Sequence, residues 1–204
     1  MRELMAGKAV GMAVSGLQAR EASGDREPRA VLARLRRDAG LADPLMSDQE
    51  LWRMVLEWLG KAITAHNNED DEDKWRMPSR HDDEDRAVPT PTERAIAEAM
   101  VMYSRQSGSK DRFPHVPGVG FGKALMDSAK ALDRDDEVQN RFMAPVFSST
   151  SMTDLSHQLN RIAPRLSSGF DYARLANDLV TFQQGVKGRS SVIGRWSRQT
   201  YSAV

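Results

Sequence analysis

Lys187, Arg189, Arg195 and Arg198 crowd the C-terminal stretch of the chain, and a glycine-rich turn upstream ends in a lysine at Gly118-Val119-Gly120-Phe121-Gly122-Lys123. Both arrangements suit one kind of chemistry, the holding of phosphate. Arginine grips phosphate oxygens through a planar fork, and lysine approaches them as a point charge. A lysine in the first turn of a helix adds its charge to free backbone amides that already favour an anion. Arg161 and Arg165, read as one turn apart on one helix, and Arg141 upstream extend the set. Brought to one face, these cations form a groove that tracks a phosphate backbone without reading bases.

Other phosphate chemistry is excluded by spacing. A Walker loop needs G-x-x-x-x-G-K-[ST] after a strand, whereas here the gap is one residue short and Ala124 replaces the hydroxyl residue. The dinucleotide pattern G-x-G-x-x-G fails because Lys123 stands where its last glycine belongs. The glycines read instead as a tight turn and a close helix contact. His66, His81, His115 and His157 are scattered without metal-ligand spacing, and the acidic run Glu69–Asp73 lacks the order of a calcium loop. No G-x-S-x-G elbow presents a serine, and there is no cysteine. Nothing in the residues supports catalysis, a metal or a cofactor.

Hydrophobic residues make up 40% of the 204 and charged ones 28%, an ordinary globular balance with enough chain for a sizeable core. The formal net charge of zero argues against a nucleic-acid partner until its distribution is read. Residues 67–85 hold nine acids against Lys74, Arg76 and Arg80, while residues 155–204 hold seven Lys/Arg against Asp171 and Asp178. Without the acidic segment the chain is net basic, and segregated charge says more about partners than a total. The beginning does not read as a secretory signal, since Arg2, Glu3 and Lys8 interrupt any apolar run, and no stretch reaches a membrane span. With no cysteine, the expected compartment is the cytoplasm.

The elements that must position the cations read as helices throughout. Ser47 with Glu50, and Thr90-Pro91-Thr92-Glu93, have capping-box spacing. Asp133, and Ser151 or Thr153, suit N-caps, and Gly40, Gly108, Gly169 and Gly185 sit where helices stop. The pattern predicts helices near 2–22, 28–38, 48–66, 91–107, 119–132, 135–147, 152–167, 171–184 and 188–202, and no strands. The expected fold is an all-α, two-lobed helical bundle. An N-terminal helical lobe (1–66) and a C-terminal helical bundle (91–204) flank an acidic, flexible insertion (67–90). On the early helix Val31, Leu32 and Leu35 share one flank, and Arg29, Arg34, Arg36 and Arg37 fan over the other. Most aromatics lie in apolar stripes and read as core. Trp75, stranded among charges, reads either as an anchor of the insertion or as a docking residue.

In order along the chain, these stretches resemble the CasB family, the small subunit of the type I-E CRISPR surveillance complex (Cascade). Its members read G-x-S/G-L/F-G-R/K-A-L, here Gly118-Val119-Gly120-Phe121-Gly122-Lys123-Ala124-Leu125. A helix with arginine before an aromatic follows (Asn140-Arg141-Phe142), then a leucine-arginine helix (Leu159-Asn160-Arg161-Ile162) and a basic glycine corner (Gly185-Val186-Lys187-Gly188-Arg189). Arg34-Leu35-Arg36-Arg37 matches the early basic helix. The resemblance runs from about Glu27 onward, apart from the acidic segment. It departs at Asn160, where many relatives carry a second arginine.

The resemblance implies a non-catalytic subunit that binds nucleic-acid backbone through Arg36, Arg37, Lys123, Arg141, Arg161, Lys187 and Arg189. The implied partners are the CRISPR guide RNA, target DNA and the displaced non-target strand, the Cascade backbone subunits and large subunit, and a second copy of the chain. No cofactor and no membrane are implied. Two rival readings stay open from the residues alone. One is a helical DNA-binding transcriptional regulator with Arg29–Arg37 in a groove, for which the next helix, Leu51–Trp58, is too apolar to serve in recognition. The other is a scaffold whose arginines merely pair with acids.

Overall fold

Helix starts in this chain are set by side chains that take up otherwise unpaired amides. In the computed structural model, which describes residues 5–38, 45, 48–69, 74–75, 88–108, 114–132 and 136–201, nine α-helices follow one another among the described residues. They are α1 (Met5–Ala22), α2 (Glu27–Asp38), α3 (Gln49–Glu69), α4 (Pro91–Ser107), α5 (Phe121–Leu132), α6 (Asp136–Phe147), α7 (Met152–Ile162), α8 (Tyr172–Phe182) and α9 (Gly185–Tyr201). The fold is all-α. The sole extended pairing among the described residues is one bridge between His115 and Phe170.

Thr90 closes the expected capping box: the Glu93 amide donates to Thr90 Oγ1 (3.3 Å), and the Thr90 amide donates to Glu93 Oε2 (2.8 Å). Ser151, not Thr153, caps α7, accepting from the Asp154 amide (3.1 Å). At the start of α3 Asp48 Oδ1 accepts the Glu50 amide at 2.7 Å. Ser47, Gly40, Asp133 and most of the acidic insertion lie outside the described residues. The expected helix over 152–167 stops at Ile162 and tightens into a 3-10 turn at Ala163–Arg165, because Pro164 has no amide to continue the ladder. The last helix begins at Gly185 rather than 188. Gly185 turns the chain with φ of 82°, a conformation that favours glycine, so Lys187 and Arg189 ride on α9 itself.

α4 is the centre. Ala95, Ile96, Ala99, Met100, Val101, Met102 and Tyr103 are buried, covering the helix on all sides, and α1, α2, α3, α7 and α8 pack around it. Leu32 and Leu35 are the buried flank of α2, as the wheel predicts. α1 lies on α8 through Gly7 and Gly11, one turn apart, facing Asn177 and Ala173. The Gly7 amide donates to Asn177 Oδ1 (2.8 Å), so a residue near the far end of the chain caps the first helix.

The glycine-rich turn is a packing device. Gly118 adopts φ of 80°, and a Cβ on Gly122 would run into the carbonyl oxygen of Trp196 on α9. A Cβ on Gly120 would meet only the Gln199 side chain. Replacing Gly122 by alanine is therefore expected to cost about 1–3 kcal/mol in urea unfolding, as overpacking against backbone does. Gly120→Ala meets a side chain rather than backbone and is expected to cost less, chiefly the Gln199–Gly122 hydrogen bond that it displaces.

Candidate nucleic-acid interface

Trp196 fastens α9. It is fully buried, its ring lies edge-on to Phe121 at 4.7 Å between centroids, and its Nε1–H donates to Asp178 Oδ2 (2.6 Å). Arg195 pairs with the other oxygen of the same buried carboxylate. Thr200 Oγ1 donates to the Gly122 carbonyl (3.1 Å), and a Cβ on Gly188 would meet the Thr181 carbonyl on α8. With its inner side held in this way, α9 turns Lys187, Ser191, Gly194, Arg198 and Tyr201 outward. Their spacing of four, three, four and three keeps them within one face, about 21 Å from end to end. α9 carries no acidic residue.

The predicted cations divide into those that stand free and those the fold has engaged. Lys187 is exposed at the start of α9, and Arg161 is exposed near the end of α7; neither has an acidic partner among the described residues. Arg189 is half-buried and donates to the Thr150 carbonyl, tying α9 to the residue before the α7 cap. Arg165 sits in the 3-10 turn after α7 rather than on one helix with Arg161. Arg141 is exposed and pairs with Glu137 (2.7 Å). Exposed pairs of this kind contribute only about 0.3–0.5 kcal/mol and exchange readily for another anion.

Lys123 differs from its sequence reading. The Gly122 amide that was to favour an anion already donates to Gln199 Oε1 (3.0 Å), and Lys123 Nζ pairs with Asp127 at 2.7 Å. Gly122 lies against Trp196 and Gln199, so Lys123 stands at the far end of the α5–α9 contact, about 14 Å along α9 from Lys187. On α2, Arg36 lies over Gly108, with its Nε donating to the Leu32 carbonyl (3.1 Å). Arg34 reaches Asp48 and Glu50 at 3.8 Å, and Arg29 reaches Glu21 at 3.7 Å. Arg37 is exposed to solvent. The structure thus sets Lys187 and Arg198 on one face of α9, about 17 Å apart along its axis, with Arg189 on the other side of that helix. Lys123, whose neighbour Gly122 packs against Trp196 and Gln199, belongs to the Arg198 end.

Trp75 resolves as an anchor. Its amide donates to Asn67 Oδ1 (2.8 Å), Asn67 Nδ2 donates back to its carbonyl (2.9 Å), and its ring meets His66 edge-on. Among the described residues no group of three or more potential metal ligands occurs, and no helix is long and apolar enough to cross a membrane.

A family model for the CRISPR-associated protein Cse2 matches residues 31–201. The chain belongs to the CRISPR-associated Cse2 family. Solved structures similar to it include CasB from Thermobifida fusca, with 21% identity over 98% of this chain and 99% of that one and a TM-score of 0.72. A CRISPR-associated protein of the Cse2 family from Thermus thermophilus aligns at 18% identity over 95% of this chain and 97% of that one, with a TM-score of 0.54. CasB from Thermus thermophilus aligns at 17% identity over the same shares, with a TM-score of 0.55. At these identities the structural likeness is one of fold. No curated protein matches the sequence. As a CasB-family protein, the chain is a small subunit of the CRISPR Cascade complex.

Two residues that shape the α9 face of this Cse2 protein carried no local signal as partners. Gln199 caps α5 from 77 positions away, and Asp178 fixes Trp196 from 18 positions away. Burial raises the Asp178 carboxyl above its ordinary value, against the opposing pull of the Trp196 hydrogen bond and the Arg195 charge. A carboxyl raised in the folded state binds its proton there first, so this group adds stability as pH falls through its folded pKa and loses that gain as pH rises. Wild type is expected to gain stability relative to Asp178→Asn on acidification from neutrality, measured by urea unfolding at a series of pH values. Asp178→Ala, which strands Arg195 and the Trp196 N–H, is expected to cost about 3 kcal/mol.

Proposed function

We propose that this protein is a non-catalytic small subunit of a type I-E Cascade that binds nucleic-acid backbone and stabilises the R-loop in antiviral defence. The observation that carries the reading is the acid-free, cationic outer face of α9 in a chain matched by the Cse2 family model over residues 31–201. In RNA-guided complexes, base pairing with the guide reads sequence, and duplex and heteroduplex are close in stability. A few phosphate contacts on the target strand or the displaced strand therefore bias strand exchange towards completion. In this reading Lys187 and Arg161 contact phosphate directly. Arg189, Arg141, Lys123, Arg36 and Arg37 serve by exchanging or extending their present contacts. The partners are the guide RNA, target DNA and displaced strand, the Cascade backbone and large subunits, and a second copy of the chain, in the cytoplasm.

Alanine at both Lys187 and Arg189 is expected to shorten R-loop lifetime in the assembled complex while size-exclusion chromatography still shows full assembly. Each cation that neutralises a phosphate adds about 1 to the slope of log affinity against log salt, and its removal takes that much away. The deficit is accordingly largest at low salt and closes as salt is raised. An unchanged R-loop lifetime in the double variant removes this corner from the interface.

A further inference from the structure

Tyr201 is an anomaly among the aromatic side chains. Trp196, Tyr103, Tyr172 and Phe170 are fully buried, yet Tyr201 leaves 57% of its surface exposed at the end of α9. It forms one wall of an open groove of about 420 Å³ whose other side is α6, with Met143, Ala144 and Phe147 as floor and Asn140 and Ser148 at the rim. The lining is mainly apolar with two polar groups, and the volume suits a small planar group.

We propose that this groove receives one unstacked base of a single-stranded nucleic acid, stacked on Tyr201 and edged by the Asn140 amide. Three features favour this occupant. An aromatic face beside a positive track is how proteins hold single strands without regard to sequence, because every base presents a π-face. Asn140 supplies both a donor and an acceptor, which matches the polar edge of a base. The approach is also cationic. Arg198 lies one turn before Tyr201 on the same face, is exposed and without an acidic partner among the described residues, and extends its guanidinium past Gly194. Lys187 continues that face at its other end, and no carboxylate interrupts it. Asp136 and Glu137 open α6 one turn before Asn140, and Glu137 is already held by Arg141.

The proposal rests on the reading that α9 holds phosphate backbone, and it adds a base-binding site at the C-terminal end of that track. It assigns Tyr201, Asn140 and Arg198 roles that the phosphate-binding set leaves out.

The test uses the full chain and two fluorescent probes with equal numbers of phosphates, a short oligothymidylate and an abasic strand of the same length. Wild type is expected to bind oligothymidylate about tenfold more tightly than the abasic strand, the size of effect that one stacked base supplies. Tyr201→Ala is expected to abolish that preference, Tyr201→Phe to keep it, and both to retain the wild-type salt dependence. 5-Iodouracil in the strand is expected to crosslink at Tyr201. Equal binding of both strands by wild type, or an intact preference in Tyr201→Ala, overturns the base site and leaves the phosphate reading standing. Failure of either strand to bind wild type overturns both readings. Loss of a Cascade subunit from the assembled Tyr201→Ala complex, with strand preference unchanged, makes the groove a protein contact and overturns the proposal.

Discussion

Trp196 is the point at which α9 is joined to the rest of the molecule, and the geometry of the outer face follows from it. The indole is wedged between α8 and α5. Its N–H is spent on a buried carboxylate, its ring edge on Phe121, and its backbone carbonyl on the space left by Gly122. A buried Trp N–H without a partner would carry the desolvation cost of an unmade hydrogen bond, so Asp178 is as necessary as the cavity that holds the ring. Asp178 in turn is tolerable in the core because Arg195 and Trp196 both reach it. With one side locked at this place, α9 has a single rotational setting, and the residues at 187, 191, 194, 198 and 201 face outward together.

That setting explains why a chain of zero net charge presents a cationic surface. Three carboxylates of the C-terminal half are occupied within the fold: Asp178 under Trp196, Asp171 at the cap of α8, and Asp127 beside Lys123. Several arginines are occupied as well, notably Arg195 and, upstream, Arg34. What remains at the α9 surface is Lys187, Arg198 and the outer part of Arg189. For a Cse2-family subunit of Cascade, a rigid helix carrying a few free cations suits contacts that fix the path of a strand while base pairing elsewhere reads its sequence.

Local chemistry made the helices legible. Thr90 with Glu93, and Ser151, carry their meaning within four residues, and the structure places a cap at each. The glycine-rich turn was legible as close packing, because neither nucleotide pattern fits its spacing. What the sequence could not display is pairing across distance. Asn177 caps α1 from 170 residues away, and Gln199 occupies the amide beside Lys123, a partner that spacing arguments cannot supply. The same limit affected the basic residues. Lys123 and Arg36 read like Lys187 in one dimension, and only their neighbours, Asp127 and the end of α4, distinguish them. Tyr201 continues an apolar-looking helix and reads as core until α9 is given its rotation.

The measurement that most directly tests the Cascade reading is an affinity purification of the tagged chain from its own host cells, with sequencing of the bound RNA and mass spectrometry of the bound proteins. Repeat-derived CRISPR guide RNAs together with the helical-backbone subunits of Cascade are the expected result. A clean homodimer carrying no RNA would contradict it and return the helical regulator to first place.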